Sequence, residues 1–540
     1  MVHFEDDKGT WDRAGARIDA KGKASRSGEG TVKSKAVSKV IRVGSTEGKQ
    51  SKKERAEFPF LILLLYLAAS SNQALHYIID IIRGSPITPL AGFQHLFKKL
   101  DLMINKWNYK QEYALNLAAK LSDDCRVSAF LLRLSQALSV GAYFRDFMKI
   151  EHTKFIITSQ REHLNLIDRL RWMGEAYSAL ITAGTVISVS MISVSTLLGS
   201  ASATQSLQLT LIGVPSAAAA LTFLIAKVSP RYEVVTDLES RPRKLTILLK
   251  SGKILYITLL FLTPLCFYIL HQLGLSFYGW SLMALSGVAL FVLGRLGLRE
   301  VKQIRNLESQ FMLFIKVLGE AAAAAGTLTQ GIKLIAQSEF GKMTTHIKKL
   351  LSRLTLGLDS HICWLNFAAE TGSRLISDFT QILLVSTKIG GKTNEVCLTI
   401  ADWVNEELVR KARREQAANY LKGLVFPIQG TLVAILTLTT VLIEILNRFA
   451  SMSTTVPVRF VSPVDMHLLI LFNFTLLFAL AVISSAAIYF TDGSTLFNLY
   501  YNLGLFLLVS GLGVVICQTF AINVLSFFAG FESNMGAAMP

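Results

Sequence analysis

The sequence predicts an all-α, polytopic membrane protein with about seven transmembrane helices and two helical-bundle domains outside the bilayer. Hydrophobic residues make up 51% of the 540-residue chain and charged residues only 17%, below the roughly 25% of a soluble domain. The charges are concentrated between long uncharged stretches, as expected when hydrocarbon excludes charge. Two mixed regions, 57–175 and 297–422, instead show the apolar periodicity of amphipathic helices.

Polar interruptions divide the uncharged stretches into spans. No residue from 176 to 226 is charged. This stretch is too long for one span of about 20 residues, and the polar segment 199–206 divides it in two. Residues 254–294 carry no Asp, Glu, Lys or Arg and divide near Gly274. The predicted spans are 178–198, 208–226, two within 254–294, 423–446, 467–490 and 496–520.

The distribution of Lys and Arg predicts the orientation. The segment 229–253 is rich in both residues, whereas the hairpin tips at 199–206 and 272–277 contain neither. By the positive-inside rule the basic segment lies in the cytoplasm, and the N-terminus lies there with it. The chain is therefore predicted to be a multi-pass protein of the cell membrane. Residues 1–56 are polar and basic and lack the apolar core of a signal peptide, so they predict a disordered cytoplasmic tail.

Glycines and capping residues divide the second mixed region into short helices. Glycine ends helices because it enters the left-handed conformation without steric cost, and Ser373 has the side chain of an N-cap. From Thr393 the apolar positions recur at helical spacing and continue into the fifth span. The predicted helices are Phe311–Ala325, Thr329–Gln337, Lys342–Thr355, Leu358–Glu370, one capped by Ser373 that ends at Gly390-Gly391, and one that starts at Thr393.

The first mixed region repeats this plan. Gly141 precedes Gly390 by 249 residues, and Gly174 precedes Gly423 by the same distance. One offset shared by several positions indicates an internal repeat. We expect Gly141 and the pair Gly390-Gly391 to form structural turns. The predicted segments are a tail (1–56), the first bundle (57–175), two spans (176–228), a basic cytoplasmic loop (229–253), two spans (254–296), the second bundle (297–422) and about three spans (423–540).

Short motifs follow one another across the second bundle and before the last span. They are EFG at 339–341, LTLGLD at 354–359, AAETGS at 368–373, KIGGKTNEV at 388–396 and FTDGS at 490–494. With the internal repeat, they resemble the type II secretion system F domain, a six-helix cytoplasmic bundle followed by membrane helices. The arrangement is similar to that of the archaeal members, the platform proteins of the archaellum and of archaeal type IV pili. The resemblance covers about residues 57–530.

This resemblance implies a non-catalytic membrane platform. Such a protein couples a ring-shaped cytoplasmic secretion ATPase to the assembly or rotation of an archaellum or type IV pilus. The partners that it implies are this ATPase, pilin or archaellin subunits, and a second copy of the chain in a homodimer.

Basic side chains recur on both bundles. They can form a solvated face beside anionic headgroups or a surface that docks an acidic soluble partner. The resemblance favours docking, since platform proteins are thought to engage the ATPase through these domains. The candidate docking residues are Lys348, Lys349, Arg353, Arg410, Lys411, Arg413, Arg414, Arg161, Arg169 and Arg171.

No residue pattern predicts a catalytic, cofactor or metal site. The five cysteines and nine histidines lack ligand spacing. Residues 386–393 resemble the end of a phosphate-binding loop but lack the strand that precedes such a loop. The tail has too few aromatic residues to predict nucleic-acid binding. Two alternatives stay open: a membrane transporter, which needs a polar mid-membrane cavity, and the platform of a secretion system without a filament.

Overall fold

In a computed structural model, the chain is built from α-helices. The described residues are 54–536 except 72, 85–86, 123, 199, 231–242, 453–464 and 494. This part contains no β-strand, which confirms the all-α class. Its helices are α1 (54–69), α2 (Leu75–Gly84), α3 (Gln94–Asp101), α4 (Gln111–Leu121), α5 (Cys125–Ser139), α6 (Phe144–Leu198), α7 (Ser200–Val228), α8 (Arg243–Gln272), α9 (Ser276–Ala325), α10 (Leu328–Ile335), α11 (Met343–Thr355), α12 (Ser360–Thr371), α13 (Arg374–Lys388), α14 (Thr393–Met452), α15 (Met466–Asp492) and α16 (Leu496–Gly536).

Within the described part of the chain, seven helices, α6 to α9 and α14 to α16, are long and apolar enough to cross a membrane, which agrees with the predicted number. Three of them also have a long charged part. Charged residues continue to Glu175 in α6 and begin at Arg295 in α9; in α14 they continue to Lys422 and recur at Glu444 and Arg448, after the apolar stretch. These helices have 55, 50 and 60 residues, or about 75 to 90 Å at 1.5 Å per residue. Each therefore extends from the membrane into a bundle.

The continuity of α9 corrects the sequence-based division of this region. The fourth span and the first helix of the second bundle were expected as separate elements, but they form one helix. It ends as predicted, at Gly326, which has a φ of 82°. The charged stretch between the two parts stays helical because Val301, Ile304 and Leu307 are buried along one face.

Three other boundaries differ from the expected ones. Helix α1 includes residues 54–56 of the segment assigned to the tail, and residues 1–53 of that tail lie outside the described residues. Helix α7 begins at Ser200 rather than near 208, and α8 begins at Arg243 within the expected loop. Arg243 and Lys244 do not stop α8, because their long side chains place the charge in water while the backbone hydrogen bonds continue.

The helix boundaries show the same offset of 249 residues in the two bundles. Asp124 and Ser373, which differ by this offset, each cap the following helix: Asp124 accepts from the Arg126 N–H and Ser373 from the Ile376 N–H. The pairs of segments that share the offset at their first residues are Gln94 and Met343, Gln111 and Ser360, Cys125 and Arg374, and Phe144 and Thr393.

The two bundles pack against each other and share one hydrophobic core. Phe60 contacts Phe379 with ring centroids 5.8 Å apart. The Thr88 backbone N–H donates to Gln381 Oε1 at 2.8 Å. Because apolar burial is the main stabilising term in folding, the shared core makes the two repeats one structural body.

Helices α9 and α16 approach each other closely through glycines. A Cβ atom on Gly294 would lie 2.4 Å from the Tyr501 backbone nitrogen, and one on Gly504 would lie 2.4 Å from the Phe291 backbone nitrogen. Small residues permit this approach between membrane helices. The last span is therefore packed directly on the helix that enters the second bundle.

Candidate functional site

The bundles join the spans through a layer of polar contacts, here called the junction layer, formed by residues 229–230, 305–308, 410–415 and 490–493. It contains the end of α7, the middle of α9 and α14, and the end of α15. Arg305 and Glu415 form an ion pair across α9 and α14. The layer therefore lies where helices of the bundles meet helices of the membrane.

Arg414 holds two helix ends in this layer. The residue is 2% exposed, and its Nε donates to the Thr491 carbonyl oxygen at 2.9 Å. Its Nη atoms donate to the carbonyl oxygens of Pro230 at 2.5 Å and Phe490 at 3.2 Å, and to the Ser229 hydroxyl. The last carbonyls of a helix lack partners within it and carry partial negative charge. One cation thus caps the end of α15 and binds the two residues that directly follow α7.

The FTDGS motif provides the space for this cation. Gly493 has a φ of 62° and ends α15, and its N–H donates to the Tyr489 carbonyl oxygen at 2.8 Å. A Cβ atom on Gly493 would lie 2.0 Å from Arg414 Nη2. Any larger residue would therefore both strain the backbone and displace the guanidinium.

A second buried charge connects α9, α13 and α14. Glu308 is 0% exposed, and its carboxylate oxygens accept from Lys411 Nζ at 3.0 and 2.9 Å. The Ser373 hydroxyl donates to Glu308 Oε1 at 2.6 Å and accepts from the Ile376 N–H at 3.3 Å. A buried carboxylate is tolerated when a cation and further donors surround it. The cap of α13 is thereby fixed to the two long helices.

Residues 314–443, which contain Lys411 and Arg414, match the family model of the type II secretion system (T2SS), protein F. The chain contains a type II secretion F domain. This confirms the resemblance that the motifs predicted. The matched part of the F domain extends from the end of α9 through α10 to α13 and into the membrane part of α14.

Two curated relatives are similar to the chain. Flagella accessory protein J of Methanocaldococcus jannaschii is 22% identical over 343 residues, which cover 62% of this chain and 60% of that protein. Flagella accessory protein J of Methanococcus voltae is 24% identical over 138 residues, 25% of each chain. The chain thus matches about three fifths or less of the length of these relatives. No solved structure matches it significantly.

Aromatic rings connect the F domain to the first bundle. The Trp403 Nε1–H donates to His152 Nε2 at 2.9 Å, and the His152 ring stacks on Tyr66 with centroids 4.0 Å apart. Burial lowers the pKa of His152 to about 4, so the ring stays neutral and can accept. Nearer the membrane, the Tyr420 hydroxyl donates to Glu175 Oε1 at 3.0 Å. Helices α6 and α14 are therefore joined below their apolar parts.

The candidate docking residues occupy different environments. Arg414 and Lys411 make the internal contacts described above, and Arg353 pairs with Glu370. Arg171 lies over the Tyr420 ring, with its guanidinium carbon 4.7 Å from the centroid. Arg169 and Arg410 line one cavity. The exposed candidates are Lys348 and Lys349 on α11, Arg413 on α14, and Arg161, Arg169 and Arg171 on α6.

The candidate turns are observed at the ends of α5 and α13. Gly141 and Gly390 have φ values of 82° and 95°. A Cβ atom on Gly391 would lie 2.9 Å from Val396 Cγ2 and 3.0 Å from the Ser386 carbonyl oxygen, so this position needs a residue without a side chain. Helix α13 precedes the pair, and the segment is a helix–helix turn.

Sequence reasoning did not identify the buried position of Arg414, although a signal was present. Arg414, Ala418, Leu421 and Val425 follow one another at spacings of four, three and four residues, and all are buried. This spacing marks one face of a helix. Extending the apolar face of the fifth span backwards would have placed Arg414 on it, away from the exposed Arg413.

Proposed function

We propose that this protein is the membrane platform of an archaellum or type IV pilus. In this proposal it couples a ring-shaped cytoplasmic ATPase to the assembly or rotation of the filament and performs no catalytic step itself. The observation that carries the proposal is that α6, α9 and α14 continue without interruption from the shared bundle core into the membrane. The F domain and the similarity to Flagella accessory protein J support this class of machine.

The mechanism that we propose is transmission of movement. The ATPase binds the bundles on the cytoplasmic side, and its conformational cycle displaces their shared core. Helices α6, α9 and α14 carry the displacement into the bilayer, since a continuous helix bends little except at a kink. A kink is expected at Pro427, which lies in the membrane part of α14. The Arg414 and Glu308 contacts stop these helices from sliding past their neighbours. The spans then guide pilin or archaellin subunits into the filament.

The exposed basic residues are the proposed docking surface for the ATPase. Lys348 and Lys349 are exposed on α11, and Arg413 is exposed on α14. Charge complementarity orients partners and raises the association rate, so an acidic surface of the ATPase would be recognised here. Lys411 and Arg414 are already engaged within the chain. Lys411 and Arg414 therefore hold together the helices that the bound ATPase displaces.

Charge reversal at exposed lysines tests this proposal. The Lys348→Glu/Lys349→Glu variant is made in cells that produce the native filament, and the filaments are counted by electron microscopy. We expect loss of filaments with normal membrane insertion, because both side chains are exposed and the ion pair of Lys349 with Glu370, at 3.9 Å, is of the exposed kind that contributes about 0–1 kcal/mol.

The matched control is Lys316→Glu/Lys333→Glu, which makes the same charge change at two exposed residues of α9 and α10. Cells that produce this control variant should have normal numbers of filaments. Normal filament numbers in the α11 variant would refute the docking surface. Equal loss in both variants would show that net charge, and not the position of the charge, determines the effect.

A further inference from the structure

A basic cavity lies between the first bundle, the end of α7 and α14. Its volume is about 610 Å³, and its walls include Arg55, Arg126, Arg169 and Arg410. Val228, the last residue of the α7 span, also lines it. The cavity is therefore at the level where a membrane-spanning helix ends, which is the level of lipid headgroups.

The guanidinium groups of the cavity have donors to spare. Arg55 pairs with Asp124 at 3.2 Å, Arg126 with Glu162 at 3.3 Å, and Arg410 with Glu407 at 2.7 Å. Each of these pairs uses only one of the five N–H donors of a guanidinium.

Arg169 has no ion pair or hydrogen bond to another described residue. Its side chain is exposed and lines the cavity. It is therefore the side chain of the cavity that can engage an anion without breaking an internal contact.

Two buried nitrogens on the cavity wall lack hydrogen-bonding partners. His163 is 7% exposed and its Nε2 is unpartnered, and the Nε of Arg410 is unpartnered as well. Buried polar atoms in proteins are nearly always hydrogen-bonded, so this wall of the cavity has unused hydrogen-bonding capacity. Burial and, to a lesser extent, the charge of Arg410 lower the pKa of His163, and an anion in the cavity would oppose the effect of Arg410.

The lining also indicates the class of anion. The walls contain guanidinium groups, which match the geometry of phosphate oxygens. Among the described residues, the walls contain no Phe, Tyr or Trp on which a nucleotide base could stack. Val228, Pro230 and Leu166 provide an apolar edge on the membrane side.

We propose that this cavity binds a phosphate group, carried by a membrane lipid headgroup or by free phosphate. The apolar edge and the level of the cavity favour the lipid. The bound group connects Arg126 of the first bundle with Arg410 of the F domain, and so fixes the bundles relative to the bilayer surface. The proposal does not depend on the platform function, because it concerns only binding.

Thermal unfolding of the full-length protein in detergent, followed by tryptophan fluorescence, tests the site. The probes are mixed micelles that contain phosphatidylglycerol, micelles that contain diacylglycerol in its place, and inorganic phosphate alone. The variant is Arg169→Gln, since this exposed side chain makes no internal contact that folding requires. The control is Arg161→Gln, the same change at an exposed residue of α6 that does not line the cavity.

We expect phosphatidylglycerol, but not diacylglycerol, to raise the melting temperature saturably. In Arg169→Gln the phosphatidylglycerol concentration that gives half of the stabilisation should rise by about tenfold or more, as expected for the loss of one charged hydrogen bond. Arg161→Gln should behave as the wild type. Saturable stabilisation by inorganic phosphate alone, with the same dependence on Arg169, would identify free phosphate as the source. No stabilisation by either probe, or an unchanged response of Arg169→Gln, would overturn the proposal.

Discussion

Replacing Arg414 by alanine should lower the local stability of the junction layer, whereas the same change at the adjacent Arg413 should have almost no effect on it. Arg414 donates to three backbone carbonyls and to one hydroxyl from a 2% exposed position. Hydrogen bonds from charged groups contribute about 1.5–3 kcal/mol each, but they are not additive within one side chain. Arg414→Ala leaves three carbonyl oxygens without this donor, at about 1–3 kcal/mol for each acceptor that stays buried and unsatisfied, and we expect a total cost of about 3–5 kcal/mol.

Hydrogen exchange measured by mass spectrometry detects this change where it occurs. The informative peptides contain residues 224–229, which lead directly to the Pro230 carbonyl that Arg414 binds, and 486–493, where Arg414 caps the terminal carbonyls of α15. A loss of about 3–5 kcal/mol in local stability corresponds to exchange that is roughly 10² to 4 × 10³ times faster. The purified full-length protein in detergent is sufficient for the measurement.

Arg413→Ala is the matched control, because Arg413 is exposed and exposed substitutions usually change stability by less than about 0.5 kcal/mol. Gly493→Ala adds a second test, since its Cβ atom would lie 2.0 Å from Arg414 Nη2. Gly493→Ala should speed exchange less when it is combined with Arg414→Ala, because the steric conflict with the guanidinium is then absent. Exchange that rises less than about tenfold in Arg414→Ala, or equally in Arg413→Ala, would refute the capping role.

Three further substitutions test other parts of the structure. Gly294→Val should destabilise the packing of α9 on α16, because a Cβ atom there meets a backbone nitrogen at 2.4 Å; a melting temperature equal to that of the wild type in detergent would contradict this. Glu308→Gln should lower the melting temperature, since it removes the charge that Lys411 contacts at 2.9 Å and leaves the ammonium poorly compensated, at a cost of about 3 kcal/mol. Burial raises the pKa of Asp378 from 3.8 to about 6 against the opposing effect of Arg374, so stability is full below pH 3.8 and falls as the pH rises through 6. Asp378→Asn should therefore raise the melting temperature at pH 7.5 and not at pH 3.5, and equal shifts at both pH values would exclude this carboxyl as the cause.

Local signals in the sequence predicted the elements of the F domain well. The predicted helix Lys342–Thr355 is observed as Met343–Thr355, and Ser373 caps the next long helix as expected. Such boundaries depend on a residue and its neighbours within one turn, because caps and left-handed glycines act over three or four residues. A single sequence contains all of this information.

The junction layer could not be predicted in the same way. Arg410, Lys411, Arg413 and Arg414 form one basic run in the sequence, yet Arg414 is buried and Arg413 is exposed. The difference depends on carbonyl groups 76 and 184 positions away in the chain. Charge therefore suggested a surface, and the tertiary packing decided which of these cations stabilise helix ends.

Affinity purification of the tagged full-length protein from native membranes in mild detergent tests the proposed function most directly. The platform proposal predicts that a secretion-type ATPase is recovered together with pilin-like or archaellin subunits. It also predicts that Lys348→Glu/Lys349→Glu loses the ATPase while Lys316→Glu/Lys333→Glu retains it, since all four lysines are exposed. The platform proposal would be contradicted if neither partner were recovered and a small solute raised the melting temperature of the protein. This result would favour a transporter.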